Sequence, residues 1–496
     1  MCRHHCIMNT SLKSFQKTTV EWMLNQEKEY EGGLLFNEAG TGSLNLKTKL
    51  KDFQVKTVKW MEIHEYNNDG GLLLNEPGLS KCHKIDTPIL MFDGTIKNVQ
   101  DVKVDEFLMG DNSTPRKVLS LARGMDLMYE IIPTKGDSYV VNQEHILCLK
   151  ISGKSRIQNI IDSKSKKRLL QVIWFENIKW NRKNFKLDER EKAEKFLKNV
   201  NHEEVLEIAV KNYIKLSNTI RNKLKGYKVP IEFPEKYLNF DPYIIGLWLG
   251  DGTSANTCIT NQDSTILHYL KNTLPKYNCY LQYNNYEGSD YNYIIHGEEY
   301  KGENKSKRWI KHDFLQELKE QNLIHNKHIP MIYKCNSREN RLKLLAGLLD
   351  SDGSLDNCTF DFSQKSEKLI DDTIYLARSL GFACYKSKQK KRCWYKGEYK
   401  EDDYYRICIS GNTYEIPILC PRKKSNIRRQ IKNVLVTGIT VKEVGYDNYY
   451  GFEIDNNRRY VMGDFTVTHN TICTLSVICN NPLKTLIQQN TNKTKR

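Results

Sequence analysis

The chain has 496 residues, 39% of them hydrophobic, enough for two or three separate cores rather than one. Its formal net charge of +16 points to a polyanionic partner, nucleic acid ahead of a purely solubilising role for the lysines. Fourteen cysteines without C-x-x-C pairs, on a chain too long for a disulfide-stapled miniprotein, indicate a reducing compartment, and no apolar run approaches the ~20 residues of a membrane span. A soluble, intracellular protein without a signal peptide is therefore expected.

The opening "CRHHC" offers Cys2, His4, His5 and Cys6 as ligand types but no second ligand pair nearby, so zinc is the minor reading there. A repeat follows. "LKSFQKTTVEWM" from Leu12 is echoed by "LKDFQVKTVKWM" from Leu50, and "GGLLFNEAGTGS" from Gly32 by "GGLLLNEPGLSK" from Gly70. Each copy reads as a helix, a short strand and a glycine loop, the order of a nucleotide-binding half-domain. After Cys82 the texture becomes β-rich, as in "TPILMFDGTIKNV" and "SYVVNQEHILCLK". From about 153 to 200 lysine and arginine interleave with tryptophan and phenylalanine, a pattern that suits a solvated face and a DNA-tracking surface equally. Helix and strand patterns alternate from about 236 to 420, and β-character returns from about 432 to 470.

Within the middle region, "IIGLWLGDG" (Ile244–Gly252) and "LAGLLDSDG" (Leu345–Gly353) each read as an apolar helix with small residues on one face, Gly246 in the first and Ala346 with Gly347 in the second. Such faces let two helices pack backbone to backbone. Each motif ends in Asp-Gly, with the glycine expected as a left-handed helix terminator. Asp251 and Asp352 would then sit at the negative ends of two helix dipoles, an unfavourable placement that a divalent cation would offset.

These paired motifs resemble those of the LAGLIDADG (DOD-type) homing endonucleases, "LLAGLLDSDGSLD" most closely. The resemblance implies a pseudo-symmetric αββαββα nuclease in which Asp251 and Asp352 hold Mg²⁺ across the scissile phosphates of double-stranded DNA. It also implies that Lys327, in "NKHIP", lies near the cleavage site. The first motif departs from type at Trp248 and Gly250, where the second has Leu349 and Ser351.

The flanks of this region carry other chemistry. Cys82 can attack the carbonyl of Lys81 to form a thioester, and His145 is a candidate to protonate the departing Cys82 nitrogen. The Thr471 hydroxyl can accept the acyl group, and Asn470, after His469, can cyclise and cut the chain. "CHKIDTPILMFDG", "VVNQEH" and "YYGFEIDNNRRYVMGDFTVTHN" resemble the motifs of inteins, protein-splicing elements of the Hint fold, and span residues 82 to 470. Asn142 stands where that family usually has threonine. Gly451 replaces a common aspartate, and Arg458 stands near the place of a second histidine.

Joining Lys81 to Thr471 yields "GGLLLNEPGLSKTICTLSVI", which resembles the first nucleotide-binding motif of Swi/Snf-type and DEAD/DEAH helicases. The interruption divides a P-loop between its phosphate-binding lysine and its Mg²⁺-binding hydroxyl, so Lys81 and Thr471 would meet ATP only after joining. Ser80 replaces the usual glycine, Ser43 replaces lysine in the first repeat, and an Asp-Glu helicase box is missing from this sequence.

The sequence thus predicts an α+β multidomain protein: an N-terminal flank (1–81), the first part of an all-β Hint splicing domain with a basic DNA-binding insert (82–235), an endonuclease (236–430), the rest of the splicing domain (431–470) and a C-terminal flank (471–496). The expected protein is a monomer that splices itself and cuts the DNA of an uninterrupted host gene with Mg²⁺. The alternatives are a splicing-impaired endonuclease and an inactive helicase remnant.

Overall fold

Apolar and polar residues alternate through Pro115–Pro133 and Ile439–Ile454, and the two stretches pair as a long antiparallel ribbon, from Ile439 opposite Pro133 to Ile454 opposite Val118. A register shift at Glu443/Gly445, with Gly445 at φ +96°, bends the ribbon there. The computed structural model describes residues 82–163, 165–200, 204–284, 291–301, 308–395, 398–427 and 432–470. All belong to one unit, Ser80–Ile472. The N-terminal repeats, Lys81, Thr471 and the cluster of Cys2, His4, His5 and Cys6 lie outside the described residues.

Strand Tyr139–Asn142 pairs with the inner part of the ribbon, Asn142 opposite Met128. Beside it, a six-stranded antiparallel sheet runs in the order Val436–Thr437, Leu224–Tyr227, Ile146–Ile151, Val467–His469, Arg459–Val461, with Val205–Ala209 also paired to Ile146–Ile151. The two ends of the 82–470 segment are both built into this part: His83 bridges Val141 and Tyr450, and His469 lies opposite Ile146.

The basic stretch folds as a three-stranded meander, Arg156–Ile161, Arg168–Glu176 and Lys179–Lys186, covered by helix Arg190–Asn199. Its aromatic residues turn inward. Phe175 is buried, and Trp174 and Phe185 pack against Phe196 with ring centroids 5.3 and 5.6 Å apart. Arg168, Lys179, Arg182, Lys183 and Lys186 stay exposed. The interleaving seen in the sequence is thus a small core with a cationic exterior.

Two similar halves follow. Helix Pro242–Asp251 starts where the Asp241 carboxylate accepts from the Tyr243 and Ile244 amides at 2.8 and 3.2 Å, with proline in the first turn. Helix Arg338–Asp352 starts at Ser337, whose hydroxyl accepts from the Asn340 amide. The second helix leads into strands Gly353–Asp356 and Thr359–Gln364, helix Glu367–Ser379 and the hairpin Ala383–Tyr395 with Glu398–Ser410, an α-β-β-α-β-β order. In the first half the opening strand shrinks to a single bridge between Gly252 and Ile259, and Cys258–Thr260, Asn292–Lys301 and Cys279–Tyr283 follow in the corresponding sheet order. The first helix, and the second over Leu344–Leu349, are apolar on nearly every face because each is covered by a sheet and by its partner helix. Among the described residues no helix is long and apolar enough to cross a membrane.

A mixed core joins these halves to the β-rich part. Leu90, Met109, Val461 and Phe465 from the latter pack with Ile231, Phe233, Cys335 and Tyr375. Tyr375 donates its hydroxyl to the Gly94 carbonyl at 2.8 Å, and a Cβ on Gly94 would meet Cys335 Sγ at 2.2 Å. Arg341, fully buried beside this core, donates to the carbonyls of Asn336, Ser379 and Ile231. Those bonds satisfy a guanidinium whose pKa burial lowers to about 10.

Candidate functional sites

Cys82 is fully buried, and its backbone N–H donates to Asn142 Oδ1 at 3.0 Å, while the Asn142 amide donates back to the Cys82 carbonyl at 3.1 Å. Asn142 Nδ2 donates to Asp126 Oδ2 at 3.0 Å, which fixes the amide so that its oxygen faces the cysteine. The Asp126 carboxylate also accepts from Gln143 Nε2. The residue that departs from the family pattern therefore does reach the Cys82 nitrogen, through an acceptor held by a neighbouring acid.

His145 is fully buried, with Nε2 2.5 Å from Thr468 Oγ1 and its ring 4.7 Å, edge-on, from that of His83. His83 in turn meets the Tyr460 hydroxyl through Nε2 at 2.5 Å, and burial drives its pKa down to about 3, so the ring is neutral at physiological pH. His145 thus connects the residue after Cys82 to the residue before His469. At the other end, Asn470 donates its backbone N–H to the Arg458 carbonyl at 2.8 Å, Arg458 itself lying at φ +61°. The Asn470 side chain is buried, and among the described residues neither Oδ1 nor Nδ2 has a hydrogen-bond partner. A buried amide without partners is costly, and it leaves Nδ2 uncommitted. His469 Nε2 lies 3.6 Å from Glu207 Oε2. Gly451 sits within the long ribbon, opposite Ala122.

The second site lies where the two apolar helices cross. A Cβ on Gly246 would stand 2.1 Å from the Leu344 carbonyl oxygen, and one on Gly347 2.1 Å from that of Tyr243, so only glycine permits this approach. Further along, a Cβ on Gly250 would meet Ser351 Oγ at 1.9 Å: the crossing accepts serine on one helix because the other has glycine. The terminal glycines correct the expectation from sequence. Gly252 (φ −77°, ψ 151°) and Gly353 (φ −80°, ψ 149°) are extended, not left-handed. Glycine is needed there because a Cβ would strike the carbonyl oxygen four residues back, at 2.4 and 2.6 Å.

Asp251 and Asp352 end the two helices side by side. Asp251 accepts from Asn261 Nδ2 at 2.8 Å, and Asp352 accepts from Gln364 Nε2. Burial, with the Asp352 charge adding to it, raises Asp251 to about 6, and burial raises Asp352 as well. The negative helix ends are met by lysines. Lys327 Nζ donates to the carbonyls of Leu249, Gly250 and Gly252 at 3.0, 3.2 and 2.6 Å, and Lys423 Nζ to those of Leu349, Asp350 and Ser351 at 3.0, 2.7 and 3.0 Å. Burial lowers Lys327 to about 8, against the pull of both carboxylates. Asp350 plays another part: it is buried and accepts from the Tyr243 hydroxyl and the Leu419 and Cys420 amides.

Among the described residues no three His, Cys, Asp or Glu side chains cluster as metal ligands. Two carboxylates ending adjacent helices nevertheless suit a magnesium ion, which takes oxygen donors, keeps several waters and shares substrate phosphates. Of the residues singled out from sequence, His145 touches Thr468 and the ring of His83, the residue after Cys82, His469 faces Glu207, and Asp251, Asp352 and Lys327 lie near one another at the helix crossing. Lys81 and Thr471 lie outside the described residues. His83, Asp126, Glu207 and Lys423 were missed, and only Lys423 left a sequence trace, as the second-half counterpart of Lys327.

Both ends of the 82–470 segment are buried in the β-rich part, His83 bridging Val141 and Tyr450 and His469 lying opposite Ile146, and that part shares a core with two α/β halves, which defines the class: a β-rich domain joined to a second, α/β domain. The chain belongs to the Hom_end-associated Hint family, which matches residues 82–469. Over 163 residues, 33% of the chain, it is 29% identical to the replicative DNA helicase DnaB of Mycobacterium intracellulare, and the match spans only 23% of that protein's length. Among solved structures it is similar to the gp41-1 intein, at 15% identity over 14% of this chain and 68% of that one, with a TM-score of 0.13. It is also similar to mesophilic variants of the homing endonuclease I-DmoI, at 14% identity over 35% of this chain and 88% of that one, with a TM-score of 0.23. At these scores neither likeness bears on the activity of this chain.

Proposed function

We propose that the chain excises residues 82–470, joins Lys81 to Thr471, and cuts double-stranded DNA with its inserted half. The observation that carries the splicing reading is the continuous buried run from Cys82 through His83 and His145 to Thr468, beside Asn470. In the first step Cys82 Sγ attacks the Lys81 carbonyl carbon, a C–S bond forms, the C–N bond breaks, and the Cys82 nitrogen gains a proton. Asn142 holds that nitrogen in place. The Thr471 hydroxyl then takes the acyl group, its proton passing to the Cys82 sulfur. Asn470 Nδ2 next attacks its own carbonyl carbon and releases the Thr471 nitrogen as an amine, which captures the acyl group from its own side-chain oxygen. Holding these groups in attack geometry is worth up to ~7–11 kcal/mol of barrier.

In the inserted half, bound Mg²⁺ would supply charge neutralisation at the scissile phosphates. Asp251 and Asp352 would hold it, Asn261 and Gln364 orient the two carboxylates, and Lys327 and Lys423 keep the helix ends electrically tolerable. The exposed lysines and arginines of the 156–186 meander would follow the phosphate backbone and make binding strongly salt-dependent. The target is the host DNA without the insertion, encoding "NEPGLSKTICT", because the insertion itself splits that site.

Mass spectrometry of freshly expressed chain tests the splicing reading. The expected products are a fragment of residues 82–470 and a ligated flank, and only intact chain under reducing conditions would overturn it. Incubation of the junction DNA with Mg²⁺ at low salt tests the nuclease, and uncut DNA would refute that half.

A further inference from the structure

Strand Val205–Ala209 lies between the two stretches that the splicing reading uses, and it pairs with Ile146–Ile151, Glu207 opposite Cys148. Alternation sends Leu206 and Ile208 into the β-rich core and Glu207 to the other face of the sheet. There Glu207 Oε2 stands 3.6 Å from His469 Nε2, and Oε1 accepts from Arg459 Nε at 2.7 Å. Arg459 is the register partner of His469 and is itself 3.7 Å from Asp111. The carboxylate is therefore held by one side chain while it faces the ring of its neighbour.

We propose that Glu207 is a positioning residue for the Asn470 step, acting through His469; the inference rests on the splicing reading. Asn470 is anchored on its backbone side by the Arg458 carbonyl, and the ring before it by Glu207. When Asn470 Nδ2 attacks, negative charge grows on the carbonyl oxygen and the departing nitrogen requires a proton. An imidazole beside that bond carries positive charge as it relays the proton. A fixed carboxylate facing Nε2 stabilises that charge and orients the ring. The segment between the splicing motifs thus contributes to the C-terminal junction as well as bearing the cationic meander.

The test uses the full chain with Glu207→Gln, which keeps the size and the acceptor toward Arg459 but removes the charge. Cleavage after Asn470 should slow roughly tenfold, about the worth of one partly screened carboxylate–imidazolium attraction. Hydroxylamine cleavage at Cys82 should stay within about twofold, and Glu207→Asp should recover part of the loss. In ¹⁵N-histidine spectra of the splice-blocked chain, the His469 ring signals should move in Glu207→Gln while those of His83 and His145 stay. Equal loss at both junctions, no loss at either, or unmoved His469 signals would overturn the role. A chain that never cleaves after Asn470 even unmutated would instead sink the splicing reading, and this role with it.

Discussion

Replacing Asp251 with asparagine removes the charge that the helix crossing tolerates least. Burial, aided by the Asp352 charge, raises this carboxyl from 3.8 to about 6. At about 1.4 kcal/mol per pKa unit, a rise of roughly two units makes the ionised form cost ~3 kcal/mol at neutral pH. Water reaching this half-buried site reduces that to about 1–2 kcal/mol. The sign follows from proton binding. The folded state holds the Asp251 proton more tightly than the unfolded chain does, so stability is complete below pH 3.8 and falls as pH rises toward 6. Asparagine mimics the protonated acid at every pH. Asp251→Asn should therefore leave stability unchanged near about pH 3 and raise it by about 1–2 kcal/mol at about pH 7.5, a Tm gain of roughly 3–6 °C for a domain of this size. Calorimetry in metal-free buffer measures this, with Cys82→Ala and Asn470→Ala in the background to prevent splicing. The same substitution should abolish DNA cutting while sparing binding. A variant no more stable than its parent at the higher pH, or one that gains equally at both, would refute the reasoning.

Cys82→Ala should stop ligation while leaving some cleavage after Asn470, which mass spectrometry resolves. Asp126→Ala frees the Asn142 amide to turn away from Cys82, so hydroxylamine cleavage at that junction should fall roughly tenfold with cleavage after Asn470 little changed. Gly246→Ala drives a methyl group to 2.1 Å from the Leu344 carbonyl and should destabilise the inserted half by about 3 kcal/mol, with loss of DNA cutting, while splicing products persist. Lys423→Met should reduce cutting as severely as Lys327→Met, because each lysine serves one helix end in the same way.

The two helices were legible because their signal is local: an apolar run, small residues on one face and a terminal acid all lie within nine positions. The reason for the terminal glycines was not, since the carbonyl that excludes a Cβ is set by the course of the chain beyond the helix, and sequence alone favoured a left-handed turn. Cys82, His469 and Asn470 were legible as reactive types at the borders of a change in texture. Their surroundings were not. Asp126 acts on Cys82 through Asn142, and Glu207 reaches His469 across the single strand between them, contacts that exist only once the sheet is paired. His83 reads in sequence as a lone histidine, and only its burial between Tyr460 and His145 marks it. The aromatic residues of the basic stretch do not separate its two readings, since Trp174 and Phe185 pack on Phe196 while Phe175 enters the β-domain core.

The core shared by Leu90, Met109, Val461, Phe465, Cys335 and Tyr375 bears on how far the chain can be shortened. Genetic loss of the inserted half would leave the first four of these side chains facing water, along with the Gly94 carbonyl now capped by Tyr375. A miniaturised descendant would have to repaint that face with polar residues or acquire a new cover. Deletion alone gives a sticky protein, so the two halves are tied as cohabitants even where their chemistries are separate.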